Sequence, residues 1–237
     1  MNCVAVIPAR GGSKRIARKN IRLFHGRPML AWSIDMALQS GLFNDVIVST
    51  DDAEIAQVAL AHGASVPFFR PADISDDQTG TGPVMAHALQ WLASDGVQID
   101  NACCIYATAP FLKADDLSSG HALLATGNWS YVIGVTDFPA PIFRAFKPLS
   151  HGGVEMFFPE HFKTRSQDAP EAFHDAGQFY WGTVAAWLEK RQGLKADTTF
   201  VKIPRWRVQD IDTEDDWKRA EILMSLMNQL NMTGTKS

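Results

Sequence analysis

Between Arg10 and Arg27 the chain carries seven basic residues, Arg10, Lys14, Arg15, Arg18, Lys19, Arg22 and Arg27, and its first acidic residue is Asp35. The whole protein nevertheless has a formal net charge of −4. Cations gathered at one place in an acidic chain point to one polyanionic ligand rather than to a generally basic surface. Gly11 and Gly12 in "PARGGSK" permit close backbone approach. The amides running from Ala9 through Gly11, Gly12 and Ser13 to Lys14 can form an anion nest. Arg10, Lys14 and Lys19 can neutralise several phosphate charges together. The spacing fits neither G-x-x-x-x-G-K-[ST] nor G-x-G-x-x-G, so neither an ordinary P-loop ATPase nor a nicotinamide enzyme is favoured. The bland reading is a solvated basic loop, and its place directly after a first strand argues against that reading.

A second constellation lies in "VQDIDTEDD", Val208 to Asp216. Asp210 and Asp212 are two apart, so in an extended segment their carboxylates point the same way. Such a pair suits Mg²⁺, which takes few protein oxygens and completes its shell with phosphates and water. The competing reading is that Asp212 or Thr213 caps a final helix, and both can hold at once. Three histidines tempt and carry less. His87 shares a helical face with Val84, Ala88 and Trp91 and reads as packed, while His25 and His62 read as loop or surface residues. No His/Cys cluster has zinc spacing.

These residues need elements to hold them. "CVAVI" (residues 3–7) is a short β-branched run and reads as a buried strand that feeds the glycine loop. A helix is expected over 29–38, with Pro28 at its first turn. Strands are expected at "DVIVST", "ASVPFF", "ACCIYA" and "SYVIGV". Helices are expected over 53–62, after the capping candidates Asp51 and Asp52, and over 83–93. After a proline-rich excursion from Asp137 to Phe173, the rhythm resumes at "QFYWG" and "TTFVKI" and closes with a helix over 213–230. Strand–helix alternation of this kind predicts a mainly parallel sheet with helices on both faces. Such sheets bind ligands outside the carboxyl ends of their strands, where the basic loop sits.

Composition sets the outer limits. The 237 residues, 46% of them hydrophobic, suffice for one large core. A pI near 5.9 argues against general nucleic-acid binding. No apolar run approaches the ~18 residues of a membrane span, and no signal peptide is expected, because Arg10 interrupts the first apolar run. Three cysteines make no paired framework, and Cys103 and Cys104 read as buried thiols of a reducing cytoplasm. The polar tail "NMTGTKS" is expected to fray.

"IPARGGSKRIARKNI", "VSTDD", "PFFRPADIS" and "DIDTEDD", in this order and spacing, resemble the CMP-sialic acid synthetase-type cytidylyltransferases, over residues 3–225. Within that family "IYATAPFL" (105–112) and "DAGQFYWG" (175–182) resemble the pseudaminic acid branch. Where the neuraminic acid branch shows Gln-Pro-Thr-Ser-Pro, this chain has Tyr106-Ala107-Thr108-Ala109-Pro110, without the sugar-contacting glutamine. The resemblance implies one α/β domain over 1–237, Rossmann-like and of nucleotide-diphospho-sugar transferase type. It implies transfer of CMP from CTP to the anomeric hydroxyl of a nine-carbon 2-keto sugar acid (a nonulosonic acid), with release of pyrophosphate. It implies that Arg10 and Lys14 hold the triphosphate, that Lys19 neutralises the reacting phosphates, that Asn20 contacts base or ribose, and that Asp210 and Asp212 hold Mg²⁺. Tyr106, Thr108, Gln178 or Tyr180, and Arg165 become candidate sugar contacts, with His174 where the sialic branch carries an arginine. Thr79 and Thr81, at the head of a helix, can meet polar nucleotide groups or act as caps. The 137–173 excursion, rich in phenylalanine, is expected to form a homodimer arm or a lid, or else to fold back on its own domain.

The alternatives are the same chemistry on N-acetylneuraminic or legionaminic acid, a sugar-1-phosphate nucleotidylyltransferase (whose Gly-x-Gly-x-Arg opening is not matched), and a degenerate nucleotide-binding subunit. Retention of Arg10, Lys14, Lys19, Asp210 and Asp212 together argues against the last.

Overall fold

A computed structural model describes residues 1–189 and 196–234. Its centre is a six-stranded sheet built from β1 (Cys3–Pro8), β4 (Asp45–Ser49), β5 (Asn101–Ile105), β6 (Tyr131–Asp137), β9 (Phe173–Thr183) and β10 (Thr198–Lys202). The order is β10-β6-β9-β5-β1-β4. All neighbours are parallel except β9, which runs antiparallel to both β5 and β6. Two small hairpins, β2–β3 (Leu23–Phe24 with Arg27–Pro28) and β7–β8 (Phe146–Pro148 with Val154–Met156), lie outside it.

The side-chain alternation of β1 divides the core into two layers. Cys3, Ala5 and Ile7 pack under α1 (Met29–Ser40), α2 (Ala53–Ala61) and α4 (Ala114–Leu124). Val4 and Val6 face α3 (Thr81–Ser94) and α5 (Val184–Leu188). The expected parallel-type sheet with helices on both faces is therefore present. β1 connects outward to β4, and the chain then returns across it to β5. That reversal leaves a crevice at the carboxyl ends of β1 and β5.

A third cluster decides where the last segment goes. Ile16 and Phe24 from the basic loop, Met29 and Phe111 pack with Ile211, Trp217, Ala220 and Met224. The latter three lie on α6 (Glu214–Gly234). Phe24 is central: its ring meets Trp217 edge-on at 5.5 Å and Phe111 at 6.4 Å. This packing brings residues 210–213 over residues 10–20.

Four differences from the sequence reading stand out. "ASVPFF" forms no strand and makes only single bridges, Ser65 with Ile47 of β4 and Phe69 with Thr50 just past its end. Pro67 removes the amide a continuous ladder would need. The helix α4 is an additional element, which its sequence "ADDLSSGHALL" is too polar to mark with a strong apolar stripe. The first helix also starts a residue later relative to its proline: Pro28 occupies the cap position before Met29 rather than the first turn. The tail expected to fray continues α6 to Gly234, and residues 235–237 lie outside the described range.

Candidate active site

The crevice is lined by Pro8, Arg10, Ser13, Lys14, Arg15, Ile16, Lys19 and Asn20 from one wall. Arg70, Thr79, Gly80, Thr81 and Val84 form the second wall, Cys104, Tyr106, Ala107 and Thr108 the floor, and Asp212 the far rim. Most of the sequence candidates thus meet in one cleft.

The basic loop is pinned at several points. Ala9 N donates to Ser49 O at 2.9 Å, and Asn20 Nδ2 donates to the Arg10 carbonyl at 2.9 Å. Asn20 is buried, so this bond fixes the loop's base. Gly11 N donates to Asp51 Oδ1 at 2.9 Å. A Cβ on Gly11 would stand 2.5 Å from Asp52 Oδ2, so only glycine fits this approach. Asp52 in turn caps α2, accepting from Glu54 N and Ile55 N at 3.0 Å each. The Arg18 guanidinium grips the same carboxylate and holds its pKa down at about 2.

Arg10 and Lys14 reach across the cleft mouth. Arg10 Nη1 donates to the Asp76 carbonyl at 2.6 Å and pairs with Asp77 Oδ1 at 2.5 Å, and Lys14 pairs with the same carboxylate. Asp76 builds the adjoining turn by accepting from Gln78 N and Thr79 N. Thr79 and Thr81 both line the cleft. Neither caps α3 through its side chain: Gly80 holds the cap position, and the head of the helix lines the cleft through Gly80, Thr81 and Val84.

From the opposite side, Lys19 Nζ donates to the Ile211 carbonyl at 2.6 Å and to Asp212 Oδ1 at 3.2 Å, and Arg15 lies 3.0 Å from that oxygen. Asp216 holds the segment by accepting from Asp212 N, Thr213 N and Thr213 Oγ1, while Thr213 Oγ1 accepts from Asp216 N at 3.2 Å. This reciprocal cap leaves Asp210 and Asp212 outside the helix. Asp210 is not among the residues that line the cleft; its carboxyl keeps solvent contact, yet its pKa is raised, first by desolvation and then by the Asp212 charge. Two neighbouring carboxylates, one of them held back from ionising by burial and by its neighbour's charge, fit a divalent cation between themselves and phosphate oxygens. No group of three or more His, Cys, Asp and Glu that could hold a metal occurs among the described residues, so the pair would supply only part of a shell.

Tyr106 and Thr108 stand on the floor where β5 ends, with the Tyr106 carbonyl accepting from Ser33 Oγ at 2.7 Å and its amide donating to Gln178 O at 2.9 Å. Burial raises the Tyr106 phenol's pKa. Tyr180 lies behind Tyr106, with ring centroids 6.0 Å apart. Gln178 does not line the cleft: it is buried, and its Nε2 donates to Arg207 O at 3.0 Å. Arg165 lies on the excursion, exposed, 3.3 Å from Asp168 Oδ2. His174 packs against Phe138, and its Nδ1 lies 2.8 Å from the Asp175 carbonyl oxygen. His87 packs edge-on to Phe68.

Arg70, in "PFFRPADIS", is a cleft residue to which its sequence motif assigns no role. It is 7% exposed and lines the cleft. Its Nη2 is 3.7 Å from Asp51 Oδ1, too far for a hydrogen bond, and Nε and Nη2 have no hydrogen-bond partner. Desolvation and then nearby Arg10 lower its pKa, partly offset by Asp51. Buried, unsatisfied guanidinium nitrogens facing a cleft are suited to a carbonyl or phosphate oxygen of a ligand. The available signal was an arginine ending the apolar run "VPFF".

A basic glycine loop, a helix N-terminus and a carboxylate pair converging at one sheet end define a nucleotide-handling transferase site, and the chain belongs to the cytidylyltransferase family, whose model matches residues 4–136. Across nearly its whole length it is similar to the pseudaminic acid cytidylyltransferase of Campylobacter jejuni, 43% identical over 97% of this chain and 99% of that protein. A Helicobacter pylori protein that joins this cytidylyltransferase to a hydrolase is 36% identical over 89% of this chain and 40% of its own length. The CMP-N,N'-diacetyllegionaminic acid synthase of C. jejuni is 32% identical over 95% of this chain and 96% of that protein. In fold, the chain is similar to CMP:2-keto-3-deoxy-manno-octonic acid synthetase complexed with CTP, with a TM-score of 0.71 at 16% identity, covering 96% of this chain and all of that one.

Proposed function

We propose that this protein transfers CMP from CTP to the anomeric hydroxyl of pseudaminic acid. The hydroxyl oxygen bonds to the α-phosphorus, the bond to the β-phosphate bridge breaks, pyrophosphate leaves and the hydroxyl proton is released. The observation that carries this reading is the meeting of Arg10, Lys14 and Lys19 with Asp212 in one cleft whose floor is Tyr106 to Thr108. Full-length similarity to relatives named for this activity supports the choice of sugar.

Phosphoryl-type transfer asks little covalent chemistry of a protein and much positioning and charge neutralisation. Arg10 and Lys14 bind the triphosphate, together with the Ala9–Ser13 amides. Lys19, held by the Ile211 carbonyl, places its charge at the reacting phosphates. Arg70 and Asn20 face the nucleoside. Asp210 and Asp212 would hold Mg²⁺, which supplies charge neutralisation at the phosphate oxygens and a more acidic bound hydroxyl. The buried free thiols Cys103 and Cys104 and the use of CTP fit a reducing cytoplasm.

The excursion fits a homodimer arm. Phe146, Phe157 and Phe162 are each more than half exposed, while Phe143 packs on Phe158 and His161 within the excursion itself. Arg165 stands away from the cleft of its own chain and would meet sugar only across such an interface. A monomeric mass by sedimentation at micromolar concentration would remove the dimer.

The test is pyrophosphate release with CTP and Mg²⁺, comparing pseudaminic, N-acetylneuraminic and legionaminic acids, on the wild type and Asp212→Ala. Turnover selective for pseudaminic acid and lost in the variant is expected. Turnover only with another acid overturns the choice of sugar, and silence with all three overturns the activity.

A further inference from the structure

Just past the carboxyl end of β4, one carboxylate stands between the basic loop and the facing wall of the cleft. Asp51 does not line the cleft itself. Its Oδ1 accepts from Gly11 N, on the basic loop, at 2.9 Å. The same oxygen lies 3.7 Å from Arg70 Nη2, on the facing wall. Arg70 is tied to this corner through its backbone as well. Its amide donates to the Thr50 carbonyl at 2.8 Å, beside the bridge between Thr50 and Phe69. A single carboxylate oxygen thus stands between the glycine-loop backbone and the guanidinium.

The two contacts differ in kind. Oδ1 receives a hydrogen bond from Gly11, whereas Arg70 is held by charge, beyond hydrogen-bond distance. The Arg70 side chain is only 4% exposed, and among the described residues its Nε and Nη2 have no hydrogen-bond partner. A buried guanidinium needs a nearby counter-charge. Asp51 supplies it, while Arg10 repels the same group. A two-pronged pair, of the kind Asp116 makes with Arg207, would spend the guanidinium's donors on protein. Asp51 compensates the charge of Arg70 and leaves those donors open.

We propose that Asp51 is a positioning residue for the nucleotide: it keeps the buried Arg70 guanidinium at the cleft wall with its N–H donors free for a base, and ties that guanidinium to the glycine-loop backbone through one oxygen. Acting through Arg70, it favours cytosine, whose O2 and N3 both accept, over uracil, whose N3 carries a proton. The proposal rests on the reading above that Arg70 faces the nucleoside.

The test is equilibrium binding by calorimetry with CTP, UTP and inorganic tripolyphosphate, which needs neither sugar nor turnover. CTP and UTP carry the same triphosphate, so their affinity ratio cancels the charge that a change at Asp51 removes. Asp51→Asn keeps an oxygen for Gly11 N and removes the counter-charge of Arg70. We expect the preference for CTP over UTP to fall about tenfold, with tripolyphosphate bound at least as tightly as by the wild type. Asp51→Ala, equally uncharged, should lower the preference alike. Having released Gly11 too, it should bind tripolyphosphate more weakly than Asp51→Asn does. Either variant reads the preference if the other fails to fold. Arg70→Met should lower it by a similar factor, and adding Asp51→Asn to Arg70→Met should lower it little further.

A merely structural Asp51 would cost all three ligands one common factor and leave the CTP-to-UTP ratio unmoved. The failures are distinguishable. A wild type that binds CTP and UTP alike overturns the cytidine-nucleotide reading and this inference with it. A preference untouched by Arg70→Met removes Arg70 from the nucleoside, and Asp51's role with it. A preference lost in Arg70→Met but kept in the Asp51 variants, or additive losses in the double variant, overturns the role of Asp51 alone.

Discussion

Replacing Arg207 by Met should be among the most damaging single changes outside the cleft. The Arg207 side chain is 6% exposed and that of Asp116 11%. Arg207 Nη1 donates to Asp116 Oδ2 at 2.8 Å and to the Phe111 carbonyl at 3.2 Å, and Nη2 donates to Asp116 Oδ1 at 2.9 Å. Asp116 Oδ2 also accepts from Lys113 N at 3.2 Å at the head of α4. Arg207→Met keeps much of the apolar stem and leaves a buried carboxylate without its partner. Breaking a buried pair from one side costs about 3–5 kcal/mol. For a chain of this length each kcal/mol moves Tm by about 2–4 °C, so the expected drop is roughly 6–20 °C. Replacing both members by apolar residues, Arg207→Met with Asp116→Leu, should recover most of the loss, short of about 1 kcal/mol for the missing cap. Urea midpoints and calorimetry on the wild type, both singles and the double measure this. A single variant within about 1 kcal/mol of wild type, or a double less stable than Arg207→Met, would refute the reasoning. The Arg207 carbonyl also holds Gln178, and Val208 to Asp212 follow directly, so kcat should fall even where the variant stays folded.

Other outcomes follow from the loop contacts. The Asp77 carboxylate pairs with Arg10 and Lys14, the cations proposed for the triphosphate, so Asp77→Asn should lower KM for CTP, most clearly at low salt; an unchanged or higher value at low salt would count against it. Asp52, held at a pKa of about 2, stabilises the fold above its ordinary carboxylate range, and that contribution is lost as pH falls from about 4 through about 2. It is on the order of 1 kcal/mol after solvent screening, so acid unfolding of Asp52→Asn should be flatter in this window, as read by tryptophan fluorescence. Gly11→Ala should weaken CTP binding with little loss of Tm, because its Cβ strikes Asp52 at the loop rather than in the core; wild-type CTP affinity by calorimetry would refute this.

Much of this was legible because it is local. β1, β4, β5 and β6 are short β-branched or apolar runs, and the glycine loop and Asp210/Asp212 are contiguous patterns whose expected chemistry follows from residue type alone. What escaped depends on distant partners. Nothing near Gln178 shows that β9 enters antiparallel between β5 and β6 and turns that side chain inward to Arg207. Arg70 looks like one more surface cation until the bridges beside Pro67 carry it to the cleft. Asp116 and Arg207 are 91 positions apart and reveal themselves as a pair only once α4 and the segment before Asp210 are packed.

The bond from Lys19 to the Ile211 carbonyl joins residues 192 positions apart. During synthesis the basic glycine loop emerges early, yet its lysine has no anchor, and the carboxylate pair does not exist, until the ribosome has passed Asp212. At about 5–20 residues per second this interval lasts on the order of ten seconds or more. A nascent chain can therefore hold a formed β1 and a basic loop without the Lys19 anchor or the carboxylate pair, and a chain terminated ahead of Ile211 lacks both while retaining every strand of the sheet.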